Sequence, residues 1–396
     1  MLAPLANRLS QIQPFHVVRM LLRARELEAA GRDIIHMEIG EPDFPLAAPL
    51  RDAAAAALSG SALGYAPSAG LPALRDCIAA QYAASGIDVP VSRILVTPGG
   101  SGALMIAMAL VANAGERVLL PDPGYPCNRN FVHHLDAVPV AVPVSAAAGH
   151  HLTVSDLEAA AAGPSRIAAA MVSSPSNPAG TLIDPAQLDA MRCWLGARGA
   201  ALLVDEIYHD LIYREQPVQS ALALGDDLFV INSFSKSFGM TGWRLGWLVV
   251  PPGFEDAALR LAQNLFIAAP SIAQHVALAG FGADAQAIFA ERRRELAARR
   301  DWLLPALEQL GFAVPASPEG AFYIYADCRR FGLPADTLCR ELLDDVGVAL
   351  TPGLDFGEHA VTDRLRFAYT CALPRLREAV DRIGGWLSAR GLVPSR

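Results

Sequence analysis

The single lysine of the chain, Lys236, lies in the segment SFSKSFG at residues 233–239. All the other basic residues, among 32 lysines and arginines, are arginines. Both side chains carry a positive charge, but only lysine can lose its proton at accessible cost and attack a carbonyl group to form an imine. The single lysine therefore indicates imine chemistry at Lys236. The alternative is a surface lysine that is present by chance.

A glycine-rich turn at residues 99–102 separates the predicted strand RILVT from a predicted helix. Small residues there let backbone N–H groups approach an anion, and the helix dipole favours negative charge, so the turn predicts a phosphate site. A dinucleotide site is an alternative, because Gly100 and Gly102 begin like G-x-G-x-x-G and Asp122 follows about twenty residues later. Met105 stands where the third glycine belongs. A purely structural turn is the other alternative.

Other predicted strands also end in residues that could do chemistry. Tyr125 follows RVLL, Asn177 follows IAAAMVSS, and Asp205 follows ALLV, with Tyr208 three residues later. The segment with Lys236 follows LFVIN. Ligands of open α/β sheets bind beyond the carboxyl ends of the strands, so these residues are expected to form one site.

Asp205 ends an apolar strand, where a carboxylate is costly to bury unless it is paired. The protonated pyridine nitrogen of a cofactor would be a suitable partner. The alternative is that Asp205 caps a helix formed by EIYHDLIY at 206–213.

The elements that must position these residues alternate between about residues 70 and 250 as short apolar runs and helix-like segments. This pattern is typical of a mostly parallel sheet sandwiched by helices. From about residue 285 a long charged helix leads into strands and shorter helices, which predicts a smaller α+β domain. We therefore predict an α/β fold with a large domain at 41–285 and a small domain at 286–396, in a chain of 396 residues.

The composition limits the function further. The net charge is −8 and there is no basic tract, which gives nucleic-acid binding little support. No apolar run reaches the roughly 18 residues of a membrane span, and the N-terminus lacks a secretory signal pattern. Six scattered cysteines predict free thiols in a cytoplasmic protein. The nine histidines lack ligand spacing on a helix face, so no metal site is predicted.

Several segments match, in content and order, the motifs of a known family. They are GEPDF at 40–44, YAPSAG at 65–70, TPGGSGA at 97–103, PDPGYP at 121–126, PSNPAG at 175–180, DEIY at 205–208, SFSKSFG at 233–239 with Arg244 beyond it, and RFAYT at 366–370. Over essentially the whole chain they resemble the fold-type I, pyridoxal-phosphate-dependent aminotransferases of class I/II.

The resemblance implies a cofactor role for most of the residues above. Lys236 would hold pyridoxal 5′-phosphate through a Schiff base and later move the proton between the substrate's Cα and the cofactor's C4′ carbon. Asp205 would keep the pyridine nitrogen protonated. Asn177 and Tyr208 would bind the phenolic oxygen, and Tyr125 would stack on the ring. The groups that would hold the phosphate are Gly100, Ser101, Ser233, Ser235 and Arg244.

The resemblance also implies how substrate and a second subunit take part. Arg366 would grip the substrate α-carboxylate, and the backbone of Gly40 would approach the same substrate. Tyr65 would reach the phosphate of a neighbouring subunit, so a homodimer is expected. The segment 1–40 would pack with the small domain.

The predicted reaction moves an amino group from an L-amino acid to a 2-oxo acid. The segments PFHVV at 14–18, SALGY at 61–65 and GAFYIY at 320–325 are predicted to line the side-chain pocket. Their apolar and aromatic character favours neutral substrates, with glutamate and 2-oxoglutarate still open as a co-substrate pair. A pyridoxal-phosphate-dependent C–S β-lyase is the alternative enzyme. A non-enzymatic cofactor-sensing regulator is disfavoured, because GEPDF begins at residue 40 and leaves no room for a preceding DNA-binding domain.

Overall fold

A computed structural model describes residues 5–12, 14–60 and 64–392. The strands of these residues are β1 (Ile35–His36), β2 (Ile94–Thr97), β3 (Arg117–Asp122), β4 (Val138–Pro143), β5 (Ile167–Ser173), β6 (Ala201–Asp205), β7 (Phe229–Ser233), β8 (Gly246–Val249), β9 (Tyr323–Asp327), β10 (Val348–Ala349), β11 (Thr351–Pro352) and β12 (Arg364–Ala368). The α-helices are α1 (His16–Ala29), α2 (Ala48–Ser59), α3 (Pro72–Ala84), α4 (Gly99–Val111), α5 (Cys127–His134), α6 (Val154–Ala160), α7 (Pro185–Gly196), α8 (Glu255–Phe266), α9 (Ser271–Ala279), α10 (Ala283–Leu310), α11 (Ala335–Val346) and α12 (Leu373–Ala389).

The central sheet has the strand order β2-β8-β7-β6-β5-β3-β4 in the described residues. Strands β7, β6, β5, β3 and β4 run parallel, whereas β8 pairs antiparallel with both β2 and β7. The residues of β2 and β7 are all buried, as are all but one of β5, because the sheet is covered on both faces. This burial explains the unbroken apolar runs in the sequence. The predicted α/β fold with a mostly parallel sheet is confirmed.

Two strands of this sheet were not identified from the sequence. Strand β4, with the sequence VPVAVP, lies at the edge of the sheet. Proline has no N–H group, and an edge strand tolerates it because the outer side of such a strand needs no hydrogen-bond donor. Half of its residues are exposed, so it lacks the apolar signal of the inner strands. Strand β8 has only four residues and follows β7 without an intervening α-helix, so the alternating pattern does not reveal it.

A second group of elements comes mainly from the C-terminal third. Strands β11, β12 and β9 form an antiparallel sheet, and β1 pairs in parallel with β10. Met20, Ala24 and Leu27 of α1 join the same apolar core as Leu338 and Leu342 of α11. The N-terminal helix therefore packs with C-terminal elements. The domain boundaries at residues 40 and 285 remain predictions.

The carboxyl ends of five strands face the second group of elements. They are Thr97 of β2, Asp122 of β3, Ser173 of β5, Asp205 of β6 and Ser233 of β7. Loops from these ends meet α1, β9 and β12, and the main cavity lies between them. No helix in the described part of the chain is long and apolar enough to cross a membrane.

Candidate active site

One cavity of about 360 Å³ collects most of the predicted site residues. It lies beyond the carboxyl edge of the central sheet, where the sequence predicted a site. The predicted residues that line it are Gly40, Gly100, Ser101, Tyr125, Asn177, Asp205, Tyr208, Ser235, Lys236, Arg244 and Arg366. Ser233 and Tyr65 do not line it.

Lys236 lies in the loop after β7 and reaches across the cavity to the N-terminal part of the chain. Its Nζ donates a hydrogen bond to the backbone oxygen of Gly40 at 2.7 Å. Burial lowers the pKa of the Lys236 amine to about 8, although the Glu41 carboxylate acts in the opposite direction. The amine can therefore be neutral at a mildly basic pH, which is the form that attacks a carbonyl group.

Gly40 lies close to the aromatic wall of the cavity. A Cβ atom at this position would come within 2.3 Å of the Tyr323 hydroxyl oxygen. Any side chain here would therefore displace Tyr323 or move the backbone oxygen that accepts the Lys236 hydrogen bond. The glycine of GEPDF is thus explained by close packing.

Asp205 is 5 % exposed at the end of β6. Its Oδ1 accepts a hydrogen bond from the backbone N–H of Ile207 at 3.0 Å. Burial raises the pKa of the Asp205 carboxyl to about 7, although this N–H group acts in the opposite direction. The helix that Asp205 might have capped is absent: only a short 3₁₀ turn, His209–Leu211, follows among the described residues. In its charged form, a buried carboxylate of this kind would be stabilised by a cationic partner from a ligand.

Tyrosines form the wall beside these two groups. The Tyr208 and Tyr323 hydroxyl oxygens lie 2.8 Å apart, and Tyr208 packs edge-to-face against Phe322 and Tyr323. Tyr125 also lines the cavity. Burial raises the pKa of both Tyr208 and Tyr125 well above the ordinary value, so both phenols stay protonated and can donate hydrogen bonds.

One end of the cavity is suited to an anion. Helix α4 begins at Gly99, so its first N–H groups, including those of Gly100 and Ser101, have no partner within the helix. The guanidinium of Arg244 lies against Gly99, where a Cβ atom would approach its Nη2 within 2.7 Å. Arg244 is exposed and has a φ of 52°, a left-handed conformation that few arginines adopt.

Ser233 does not line the cavity but contacts Ser235, which does. Its Oγ lies 3.1 Å from the carbonyl oxygen of Leu245 and 2.9 Å from the Oγ of Ser235. It also accepts a hydrogen bond from the Ser235 N–H at 3.1 Å. The Ser233 hydroxyl is the donor in both side-chain contacts, so its one proton is shared between Ser235 Oγ and the Leu245 oxygen. Ser233 therefore orients Ser235, which does line the cavity.

Arg366 lies on β12 at the other end. Its Nη1 donates to Asn177 Oδ1 at 2.9 Å, and its Nη2 donates to the backbone oxygen of Glu38 at 2.7 Å. The guanidinium lies over the rings of Tyr323 and Phe356, at 4.1 and 4.9 Å from their centroids. Its buried Nε has no hydrogen-bond partner. Arg366 is thus held in place and can still bind a carboxylate.

Some cavity residues were predicted only in part, and others were missed. Phe15, Val17 and Val18 belong to the predicted segment 14–18, and Leu21 extends the same face of α1. Asp355 and Phe356 were missed, because a single acidic or aromatic residue in a loop carries no local signal. Their position after the β11 strand could have suggested them. Residues 61–63 of the predicted segment 61–65 lie outside the described residues.

Tyr65 is not brought to the cavity of its own chain. Its side chain is 85 % exposed. No group of three or more His, Cys, Asp and Glu that could hold a metal occurs in residues 5–12, 14–60 and 64–392.

An amine that can lose its proton near pH 8, placed in one cavity with a carboxylate that lacks a cation, is suited to imine chemistry on a carbonyl compound. The start of helix α4 beside them is suited to an anion, and this combination is typical of α/β enzymes that act through a lysine imine. Comparison with known proteins gives the family. The sequence model described as aminotransferase class I and II matches residues 32–383.

Individual relatives agree with that match. The chain is 37 % identical to a valine–pyruvate aminotransferase of Mycobacterium tuberculosis, over 96 % of this chain and 97 % of the relative. It is 34 % identical to an aspartate aminotransferase of Streptomyces avermitilis, over 92 % of each. A crystal structure of a Mycobacterium tuberculosis aminotransferase has a TM-score of 0.93 at 36 % identity and covers 98 % of this chain and 100 % of that one. The chain belongs to the class I and II aminotransferase family, and it is an aminotransferase.

Proposed function

We propose that the chain binds pyridoxal 5′-phosphate in the main cavity and uses it to transfer the amino group of a neutral L-amino acid to a 2-oxo acid. The observation that carries the proposal is that Lys236, with a lowered pKa, and Asp205, with a raised one, line the same cavity. The family itself is known for this cofactor. When bound, pyridoxal 5′-phosphate supplies an electron sink that stabilises negative charge on the substrate Cα.

The cofactor fits the residues present. Asp205 would receive a cationic ring nitrogen, and this would satisfy its buried carboxylate. The N–H groups of Gly100 and Ser101, the Ser235 hydroxyl and the Arg244 guanidinium would hold the phosphate. Tyr125 would lie against the ring, while Asn177 and Tyr208 would bind its phenolic oxygen. Ser233 would act through Ser235 rather than by direct contact.

The chain's own groups would then handle substrate and proton. Arg366 would bind the α-carboxylate with its guanidinium, which Asn177 and the backbone of Glu38 already orient. Lys236 would remove the Cα proton with its neutral amine, held near Gly40 before the reaction. The Tyr323 and Phe356 rings would exclude water around Arg366 and so strengthen its ion pair with the carboxylate.

A neutral side chain fits the remaining wall best. The side-chain end of the cavity is lined by Phe15, Val17, Val18 and Leu21. In the part of the chain that the structure describes, the only arginines that line the cavity are Arg244 and Arg366, and both have other roles. The name of the Mycobacterium tuberculosis relative, a valine–pyruvate aminotransferase, supports the same substrate class. Comparison of kcat/KM for valine, alanine, aspartate and glutamate tests this, and a clear preference for aspartate would contradict it.

Absorbance of the cofactor-loaded protein tests the reaction itself. Single amino acids are added without any oxo acid, while the band of the lysine-bound cofactor is followed. The proposal expects a neutral amino acid to deplete this band and a 2-oxo acid to restore it. If the band instead returns unaided while pyruvate and ammonia accumulate, the enzyme is a lyase.

We also propose a homodimer in which Tyr65 completes the site of the other subunit. The segment around Tyr65 is held firmly although its ring is exposed: Ser271 Oγ donates to the Gly64 oxygen at 2.6 Å and accepts from the Ala66 N–H at 3.0 Å. An exposed tyrosine on a fixed backbone is suited to contact with a second copy. Ile267, which directly follows α8, is also half exposed and adds apolar surface.

Mixed dimers of two inactive variants test this arrangement. A Tyr65→Ala chain paired with a Lys236→Ala chain would contain one wild-type site if Tyr65 acts across the interface. Recovery of activity on mixing is expected, and its absence in dimers shown to be mixed would contradict the proposal.

The six free cysteines are consistent with the cytoplasmic location that we propose.

A further inference from the structure

The loop at residues 355–359 joins three parts of the molecule beside the cavity. It follows a 3₁₀ turn, Gly353–Asp355, and precedes β12, which carries Arg366. The side chains of Asp355 and Phe356 are buried and line the cavity, whereas those of Glu358 and His359 are exposed. The contacts of Glu358 and His359 with the large sheet are therefore made by their backbone.

The end of β3 holds this loop through a carboxylate. Asp122 Oδ2 accepts the Glu358 N–H at 3.0 Å, and Oδ1 accepts the N–H groups of Glu358 and His359 at 3.1 and 3.3 Å. The Gly124 N–H donates to the Phe356 oxygen at 2.8 Å. Asp122 is 5 % exposed, and its hydrogen bonds to the exposed residues Glu358 and His359 are part-buried bonds to a carboxylate.

Gly357 makes this approach possible. A Cβ atom at residue 357 would lie 1.7 Å from Asp122 Oδ1, which is closer than any two such atoms can come. The carboxylate therefore occupies the space that a side chain would need. Asp122 and Gly357 thus form a matched pair across the gap between β3 and the loop.

The other end of the loop holds α1. Asp355 Oδ1 accepts the N–H of His16 at 2.7 Å, where α1 begins. An acidic group at this position also interacts favourably with the helix dipole. Helix α1 in turn places Val17 and Leu21 in the cavity wall. Contacts therefore run without a break from Asp122 through the loop to the apolar wall.

We propose that Asp122 is a positioning residue for substrate recognition: by holding the 355–359 loop, it fixes Phe356 beneath Arg366 and fixes helix α1 against the substrate side chain. Asp122 does not line the main cavity. The inference rests on the proposed function for its kinetic consequence, but its structural part concerns only contacts within the chain.

The positioning role of Asp122 is tested by measuring both amide hydrogen exchange and steady-state kinetics of the Asp122→Asn variant. Asn has nearly the same shape, but its NH₂ group would face the N–H groups of the loop. In the full chain, with or without pyridoxal phosphate, we expect faster exchange at residues 357–359 and 16–21. The KM for amino acid and for oxo acid should rise about tenfold, as expected for the loss of roughly one charge-assisted hydrogen bond, with kcat and cofactor affinity nearly unchanged. Asp88→Asn, at an exposed position, is the matched control.

The Gly357→Ala variant tests the same contact from the loop side. Its effects should resemble those of Asp122→Asn, and its added cost should be small in an Asp122→Ala background, where the clash is removed. Additive effects, or unchanged exchange at 16–21 in Asp122→Asn, would overturn the proposal. If neither variant folds, slow exchange of the Glu358, His359 and His16 amides in the unmodified protein supports it, and fast exchange there overturns it. Altered exchange in a protein that transfers no amino group would instead contradict the proposed function.

Discussion

Because the Asp205 carboxylate is buried, we expect the Asp205→Asn substitution to raise the stability of the cofactor-free protein and to lower its affinity for the cofactor. In the cofactor-free chain, burial raises the pKa of this carboxyl from 3.8 to about 7. A shift of that size corresponds to roughly 4 kcal/mol of unfavourable free energy for the charged form in the folded state. Asp205→Asn preserves the shape and removes the charge. Without the cofactor, the variant should therefore be more stable than the wild-type protein.

The gain in stability should depend on pH in a defined direction. Because the folded-state pKa lies above the unfolded-state value, the folded protein holds the extra proton between about pH 4 and pH 7, and stability is lost as the pH rises through this window. Asparagine mimics the protonated carboxyl. Variant and wild type should therefore differ little near pH 4 and by up to roughly 4 kcal/mol at pH 8. Affinity for pyridoxal phosphate should instead fall by about tenfold or more, because a charge-assisted hydrogen bond is lost.

Urea titrations of both cofactor-free proteins at several pH values measure the difference in free energy of unfolding. Asp52→Asn, at an exposed position on α2, controls for the loss of an acidic group as such. A stability difference that stays constant between pH 4 and pH 8 would refute the reasoning about burial. Unchanged cofactor affinity would refute the pairing of Asp205 with a cationic ring nitrogen.

Three further predictions follow from the same structure. Lys236→Arg should keep the positive charge and the fold but abolish turnover, and near-normal turnover would exclude imine chemistry at this position. Arg366→Lys should raise the KM for amino acids about a hundredfold, since the bidentate geometry is lost, and steady-state kinetics would show it. Burial lowers the pKa of His150 and His151 to about 4 each, so stability should fall as the pH drops from 6.5 towards 4. A variant with glutamine at both positions should lose this part of the pH dependence, and an unchanged pH profile would contradict it.

The sequence predicted the strand ends because each combines an apolar run with a residue that is costly to bury. Asp205 and Lys236 could be assigned to one site in this way from the sequence alone. The 355–359 loop could not, because its contribution depends on contacts with Asp122 and His16, which are 236 and 339 residues from their partners. Local sequence patterns carry no information on such pairs. Strand β8 was not predicted for a different reason: its direction is set by the adjacent strands β2 and β7 rather than by its own four residues.

The glycines of the sequence motifs show what those patterns encode. Gly40 lies where a Cβ atom would meet Tyr323, and Gly180 lies where one would come within 2.7 Å of the Gly320 oxygen, in a left-handed conformation with φ of 70°. Gly357 stands in the same relation to Asp122. The close neighbour is a side chain at Gly40 and Gly357, and it is the backbone of residue 320 at Gly180. A methyl group at any of the three positions would clash with that neighbour. Gly40 and Gly180 belong to the motifs GEPDF and PSNPAG, so those patterns include positions that close packing reserves for glycine, whereas Gly357 lies in no such motif and its role depends on a contact with a distant residue.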